Sequence, residues 1–112
     1  MTQSVSEEAS HSGATAVLLV KSGFYEGLEV PLEGAQTVIG RGRGADIVLA
    51  EPTISREHAV IGRSSEGWYV EDLGSTNGSY ANGGRITRHP LKPGDEIVLG
   101  RLSIQVTLPG DN

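Results

Sequence analysis

Gly, Pro, Ser, Asn or Asp breaks the apolar runs of this 112-residue chain roughly every ten residues, and that spacing constrains its fold more than any other feature. No helix-length window free of Gly and Pro repeats apolar residues at i, i+3, i+4 and i+7, so a helix would have no continuous face to bury. What remains is a series of short β-prone runs at residues 16–21, 27–32, 37–40, 46–49, 59–63, 67–72, 79–81, 96–99 and 102–108. Many short strands separated by turn signals predict an all-β sandwich or barrel. Pro31 removes a ladder donor, which assigns its strand to a sheet edge. SGFYE, between the first two runs, is short enough for a hairpin connection. No internal repeat of fixed period stands out.

With 112 residues and no second block of composition, the chain makes one domain. It has no Cys, which excludes a disulfide frame, a thiolate metal site and a Cys nucleophile. A net charge of −5 argues against non-specific binding to nucleic acid or to an anionic membrane. The cations are unevenly placed, however: eight of the nine Lys and Arg fall between Arg41 and Arg101, which leaves room for a local positive site. Residues 1–13 are rich in Ser and Glu and poor in apolar side chains, so they read as a flexible N-terminal tail. The folded domain is expected over 14–109, with a short C-terminal end at 110–112. Neither Thr2 nor Thr15 sits in a repeated or acidic Thr motif, and the tail reads as inert rather than self-binding. The opening segment has neither the basic nor the apolar region of a signal peptide, and no window approaches the roughly 18 apolar residues of a membrane span. A cytoplasmic protein is expected.

Three loops carry polar residues that strand formation does not explain. In the first, residues 40–45 (GRGRGA), glycine lets backbone N–H groups approach an anion, and Arg41 offers a planar fork that meets a phosphate in bidentate fashion. The same loop also reads as an ordinary tight turn. The Lys-Ser or Lys-Thr of a P-loop and the helix of a dinucleotide fingerprint are both missing. In the second loop, residues 52–58, Ser55 and His58 sit three apart at a strand entrance. His58 reads as a buried imidazole bonded to loop backbone, and Ser55 with Arg56 reads either as a turn or as a pair of ligand contacts. No G-x-S-x-G elbow surrounds Ser55, so no hydrolase nucleophile is assembled. In the third, residues 73–82 (LGSTNGSYAN), Asn77-Gly78 is a strong turn signal. The turn does not explain why Ser75, Thr76 and Asn77 place three hydrogen-bonding side chains in a row. Asn82-Gly83 repeats the turn chemistry.

Taken in order, GRGRGADIVL, ISREHA, EDLGSTNGSYANGG and LKPGDEIVLG resemble the four blocks of a forkhead-associated (FHA) domain: G-R, S-x-x-H, D-x-x-S-x-N-G-x-x-x-N-G and G-D-x-I-x-L-G. The likeness covers residues 17–108 and departs at Ser79, where the family usually has Thr after N-G. That change keeps the hydroxyl. The resemblance implies an FHA-type β-sandwich of about eleven strands with ligand loops at one end, and a module that binds phosphothreonine peptides without being an enzyme. Carried over residue by residue, Arg41 and Ser55 would contact the phosphate. Arg56 would add a second cation or a main-chain contact, and Thr76 would help from the third loop. Asn77 would hydrogen-bond the peptide backbone, with Asn82 as an extra peptide contact. Gly40, His58 and Gly78 would support the loops. Arg43, Thr53 and residues 85–89 lie where they would read flanking residues, and Arg43 points to an acidic neighbour.

The donor types suit the ligand, because a phosphate near neutral pH presents three acceptor oxygens and a charge of about −1.5 to −2. The function expected is that of an adaptor or regulator in Ser/Thr kinase signalling. Its partner would be a Thr-phosphorylated protein or peptide, such as a Ser/Thr kinase or a kinase substrate. Nucleic acid, membrane, metal and cofactor have no expected part. The alternative is an FHA-fold scaffold that binds an unphosphorylated protein.

Overall fold

A computed structural model of the chain describes residues 15–109. The tail expected over 1–13 and the end at 110–112 lie outside the described residues. Among those described there are eleven strands and no helix: β1 (Ala16–Val20), β2 (Glu29–Leu32), β3 (Gln36–Gly40), β4 (Ile47–Val48), β5 (Ala59–Ser64), β6 (Gly67–Asp72), β7 (Ser79–Ala81), β8 (Gly84–Ile86), β9 (Arg88–Pro90), β10 (Ile97–Leu99) and β11 (Leu102–Thr107). They make a six-stranded sheet in the order β2-β1-β11-β10-β7-β8 and a five-stranded sheet in the order β4-β3-β5-β6-β9. Of the all-β sandwich or barrel expected from the turn spacing, the sandwich is the architecture found.

Alternation builds the core. In β1, Ala16, Leu18 and Val20 are buried, and in β11 so are Leu102, Ile104 and Val106. Ile39, Ala59, Ile61 and Val70 answer from the five-stranded sheet. Each such Val, Leu or Ile gains about 1.5–3 kcal/mol relative to exposure. Pro31 lies on β2, an edge strand, where its missing N–H breaks no ladder. The strands absent from the sequence reading are β8 (GRI) and β9 (RHP). Both are edge strands, held by pairing to β7 and β6 rather than by burial, so no apolar alternation announces them.

Register decides which loops meet. β3 ends beside the start of β5 (Ile39 opposite Ala59), β6 ends there too (Asp72 opposite Ala59), and β7 begins where β10 ends (Ser79 opposite Leu99). Val20 pairs with Ile104, which brings the end of β1 to the same place. The connections 21–28, 41–46, 49–58, 73–78 and 100–101 therefore share one end of the sandwich. Asn82 and the β9–β10 connection lie at the other end of β7 and β10.

Candidate functional site

Alternate glycines let the first loop lie directly on the second. A Cβ on Gly40 would overlap the Arg56 carbonyl oxygen, one on Gly42 would come within 3.0 Å of Arg56 Cβ, and one on Gly44 would meet the Glu57 carboxylate at 2.5 Å. The close approach is stitched by backbone bonds, Arg41 N–H to Ser55 O at 3.0 Å and Gly42 N–H to Arg56 O at 3.0 Å. Asp46 closes the loop, its N–H donating to Val38 O and its carboxylate accepting from Val38 N–H, each at 2.8 Å. Arg41 is exposed, yet its Nε–H donates to Ile54 O at 3.0 Å. That bond orients the guanidinium and leaves both terminal amino groups for a ligand.

His58 holds the second loop to the third. It is fully buried, its Nδ1 accepts the Ser55 N–H at 3.0 Å, and its Nε2 lies 2.9 Å from Gly78 O. Because Nδ1 is an acceptor, the proton of the neutral ring sits on Nε2 and is donated to Gly78. Gly78 adopts φ +89°, which glycine accepts without strain, and its carbonyl also receives the Gly100 N–H at 2.9 Å. Ser55 Oγ accepts the Thr76 N–H at 3.0 Å, so its own proton remains free to be donated outward.

The third loop is built on Asp72. Its Oδ1 accepts the hydroxyls of Ser75 and Ser79, each at 2.6 Å, and its Oδ2 accepts the Gly74 and Ser75 N–H groups, each at 3.0 Å. Burial pushes the Asp72 carboxyl up, but these four bonds outweigh it and hold the group below the usual carboxylate range. Ser79, the departure from the family pattern, supplies the hydroxyl that this tie requires. Asn77 donates from Nδ2 to Thr53 O at 2.8 Å, leaving its carbonyl oxygen and second N–H exposed.

Thr53 joins three loops. Its hydroxyl donates to Glu51 Oε2 at 2.7 Å and accepts the Arg101 N–H at 2.9 Å, while its carbonyl serves Asn77. The Thr53 amide, then its hydroxyl, hold Glu51 below the usual carboxylate range, with burial opposing and Arg101 adding to the effect. Thr53 is thus a structural knot rather than an open reader of flanking residues. Of residues 85–89, Arg85 reaches the site: its Nε would lie 3.0 Å from a Cβ on Gly78. Arg88 instead covers Tyr69 and pairs with Glu71, and His89 bonds Asp95.

The structure therefore brings Arg41, Ser55, Arg56, Thr76 and Asn77 to one end of the sandwich, with Gly40, His58 and Gly78 beneath them. Asn82 does not join them. Its Nδ2 donates to Asp95 at 2.9 Å and its Oδ1 accepts the Glu96 N–H at 3.0 Å, so both ends of the amide are spent at the opposite end of β7. Sequence reading gave no role to Asp72 or Glu51, although a carboxylate two or three residues before a loop amide was the available signal for both; the tying role of Thr53 rests on residues 24 and 48 positions away and had no local signal.

Residues 37–100 match the family model of the FHA domain. The chain belongs to the FHA family. It is 33% identical over 94 residues to the FHA domain-containing protein FhaB of Mycobacterium tuberculosis, an alignment that covers 83% of this chain and 61% of FhaB. It thus spans less than two thirds of that relative. Among solved structures, an FHA domain studied for phosphothreonine-dependent interactions matches with a TM-score of 0.76 and 30% identity, covering 85% of this chain and 97% of the other. Mycobacterium tuberculosis EmbR, in complex with a low affinity phosphopeptide, matches with a TM-score of 0.77 and 32% identity, over 88% of this chain and 26% of EmbR. The G-R and S-x-x-H blocks and the S-x-N-G part of the third block lie at the loop end described above, whereas Asn82-Gly83 and the start of the fourth block lie at the other end.

Proposed function

We propose that this FHA domain binds phosphothreonine peptides and serves as a cytoplasmic adaptor or regulator in Ser/Thr kinase signalling. The observation that carries the reading is the state of the donors. Arg41 is oriented through Nε with its terminal amino groups free, and Ser55 Oγ already accepts a hydrogen bond, so its proton is directed to a ligand. Arg56 and Thr76 are exposed beside them and add a cation and a hydroxyl. Asn77, anchored to Thr53, supplies the pair of amide groups that an extended peptide backbone needs. The relatives' recorded phosphopeptide binding supports the same assignment.

Charge-assisted hydrogen bonds contribute about 1.5–3 kcal/mol each. Two or three of them supply about 3–9 kcal/mol of attraction, against which stands the cost of ordering an extended peptide. Threonine over serine follows in part from burying one methyl, about 0.8 kcal/mol, and in part from the stiff β-branched χ1 that fixes the phosphate direction.

Calorimetry with a phosphothreonine peptide library tests the reading. Binding abolished by phosphatase and weakened by Arg41→Ala and Asn77→Ala is the expected result. A partner retained after phosphatase treatment would support the scaffold alternative instead.

A further inference from the structure

Arg43 does not belong to the phosphate seat described above. Ala45 N–H donates to Gly42 O at 3.1 Å, so Arg43 and Gly44 are the central residues of a turn, and Arg43 stands at its corner. With Arg41 and Arg56 it lines an open cleft of about 810 Å³, far larger than one phosphate group. The cleft has a single carboxylate, Glu57, whose oxygen lies against Gly44. Among the described residues, Arg41, Arg43 and Arg56 enter no ion pair with any carboxylate, Glu57 included. Arg63 and Arg88, by comparison, are engaged within the fold: Arg63 stacks on Trp68 and Arg88 on Tyr69, with Glu71 beside it. On a chain of net charge −5, unpaired cations are gathered at one cleft.

We infer that Arg43, with Arg56 beside it, binds a second anionic side chain of the same phosphopeptide, adjacent to the phosphothreonine. The inference rests on the phosphothreonine reading of the Arg41–Ser55 seat. A phosphate held by Arg41 and Ser55 leaves the corner of the turn unoccupied, and an Arg fork accepts a carboxylate or a second phosphate with the same geometry. Gly42 and Gly44 on either side carry no side chain to cover the cleft.

Two sets of peptides test this. Each has one phosphothreonine, and an Asp or a phosphoserine is moved through the flanking positions of an otherwise neutral sequence. Titrations use the full chain and its Arg43→Gln variant. An exposed charge pair adds about two- to fivefold in affinity, and a phosphate held by a bidentate fork adds about tenfold or more. The expected result is such a gain confined to one flank, lost in Arg43→Gln, with affinity for the neutral peptide unchanged. A gain from phosphoserine alone identifies a doubly phosphorylated ligand, and a gain from both identifies a general acidic flank; either supports the inference. Equal affinity for neutral and acidic peptides, or a gain that persists in Arg43→Gln, overturns it while leaving the Arg41–Ser55 reading intact. If the neutral phosphothreonine peptide fails to bind, that reading falls and this inference with it.

Discussion

Replacing His58 with Ala should damage the fold, whereas replacing Ser55 with Ala three residues earlier should damage binding. His58 is fully buried and bonded at both ring nitrogens, so truncation orphans the Ser55 N–H and leaves the Gly78 carbonyl with the Gly100 N–H alone. An orphaned buried donor costs about 1–3 kcal/mol, and the space left by the imidazole adds a cavity penalty. Allowing for partial relaxation, we expect a loss of about 3–5 kcal/mol, a large share of the roughly 5–15 kcal/mol that holds a domain together. With a urea m-value of about 1–3 kcal/mol/M, the midpoint should fall by roughly 2 M. Trp68, the sole tryptophan, packs against the core and reports the transition by fluorescence. Ser55→Ala removes the acceptor of the Thr76 N–H, but Thr76 is exposed and water replaces the bond. Its stability cost should stay below about 1 kcal/mol, while phosphopeptide affinity falls about 10- to 100-fold with the loss of one charge-assisted bond. If Ser55→Ala lowers the midpoint as far as His58→Ala and leaves affinity untouched, the division of labour in this loop is wrong.

Three further outcomes follow from other contacts. Arg41→Lys keeps the charge but loses both the Nε bond to Ile54 and the fork, so calorimetry should show affinity about tenfold weaker or worse; in the wild-type chain affinity should also decline below about pH 6 as the phosphate takes a proton. Gly62→Ala sets a Cβ into the Tyr69 ring across β5 and β6, which should cost about 1–3 kcal/mol in thermal unfolding. In a Tyr69→Ala background the same substitution should cost less, and strict additivity would count against the clash. Asp72, Glu51 and Asp95 all have folded carboxyls more acidic than usual, the last because bonds from Asn82, the Lys92 amide and His89 outweigh its burial. The unfolded chain therefore binds more protons, and the stability these groups contribute is full above their unfolded pKa of about 4 and lost as pH falls through their lower folded values. Urea midpoints measured from pH 7 to pH 3 should be flat at first and then drop, and Asp72→Asn should shrink the drop; an unchanged acid limb in the variant would refute the role given to Asp72.

How much of this was legible in the chain differs from residue to residue. The all-β class, the edge position of Pro31 and the order Gly40-Arg41, Ser55, Asn77-Gly78 needed nothing beyond local pattern, because turn chemistry and strand alternation act over a few residues. Edge strands such as β8 and β9 escaped that reading, since pairing to a partner defines them and burial does not.

Which polar residues work together was decided by tertiary structure. Asn77 and Asn82 carry the same turn chemistry five residues apart, yet the pairing of β7 with β10 sends one to the ligand loops and the other to Asp95 at the far end. Thr53 looked free to read a ligand until Glu51, Asn77 and Arg101 converged on it from three loops. Arg43 is one of nine cations in the sequence; only the packing of glycines 40, 42 and 44 onto Arg56 and Glu57 sets it in an open cleft without a carboxylate partner. Local sequence determines the class of fold and the residue types available at the loops. Long-range register determines their neighbours, and a side chain's neighbours determine whether its donors are spent within the fold or left for a ligand.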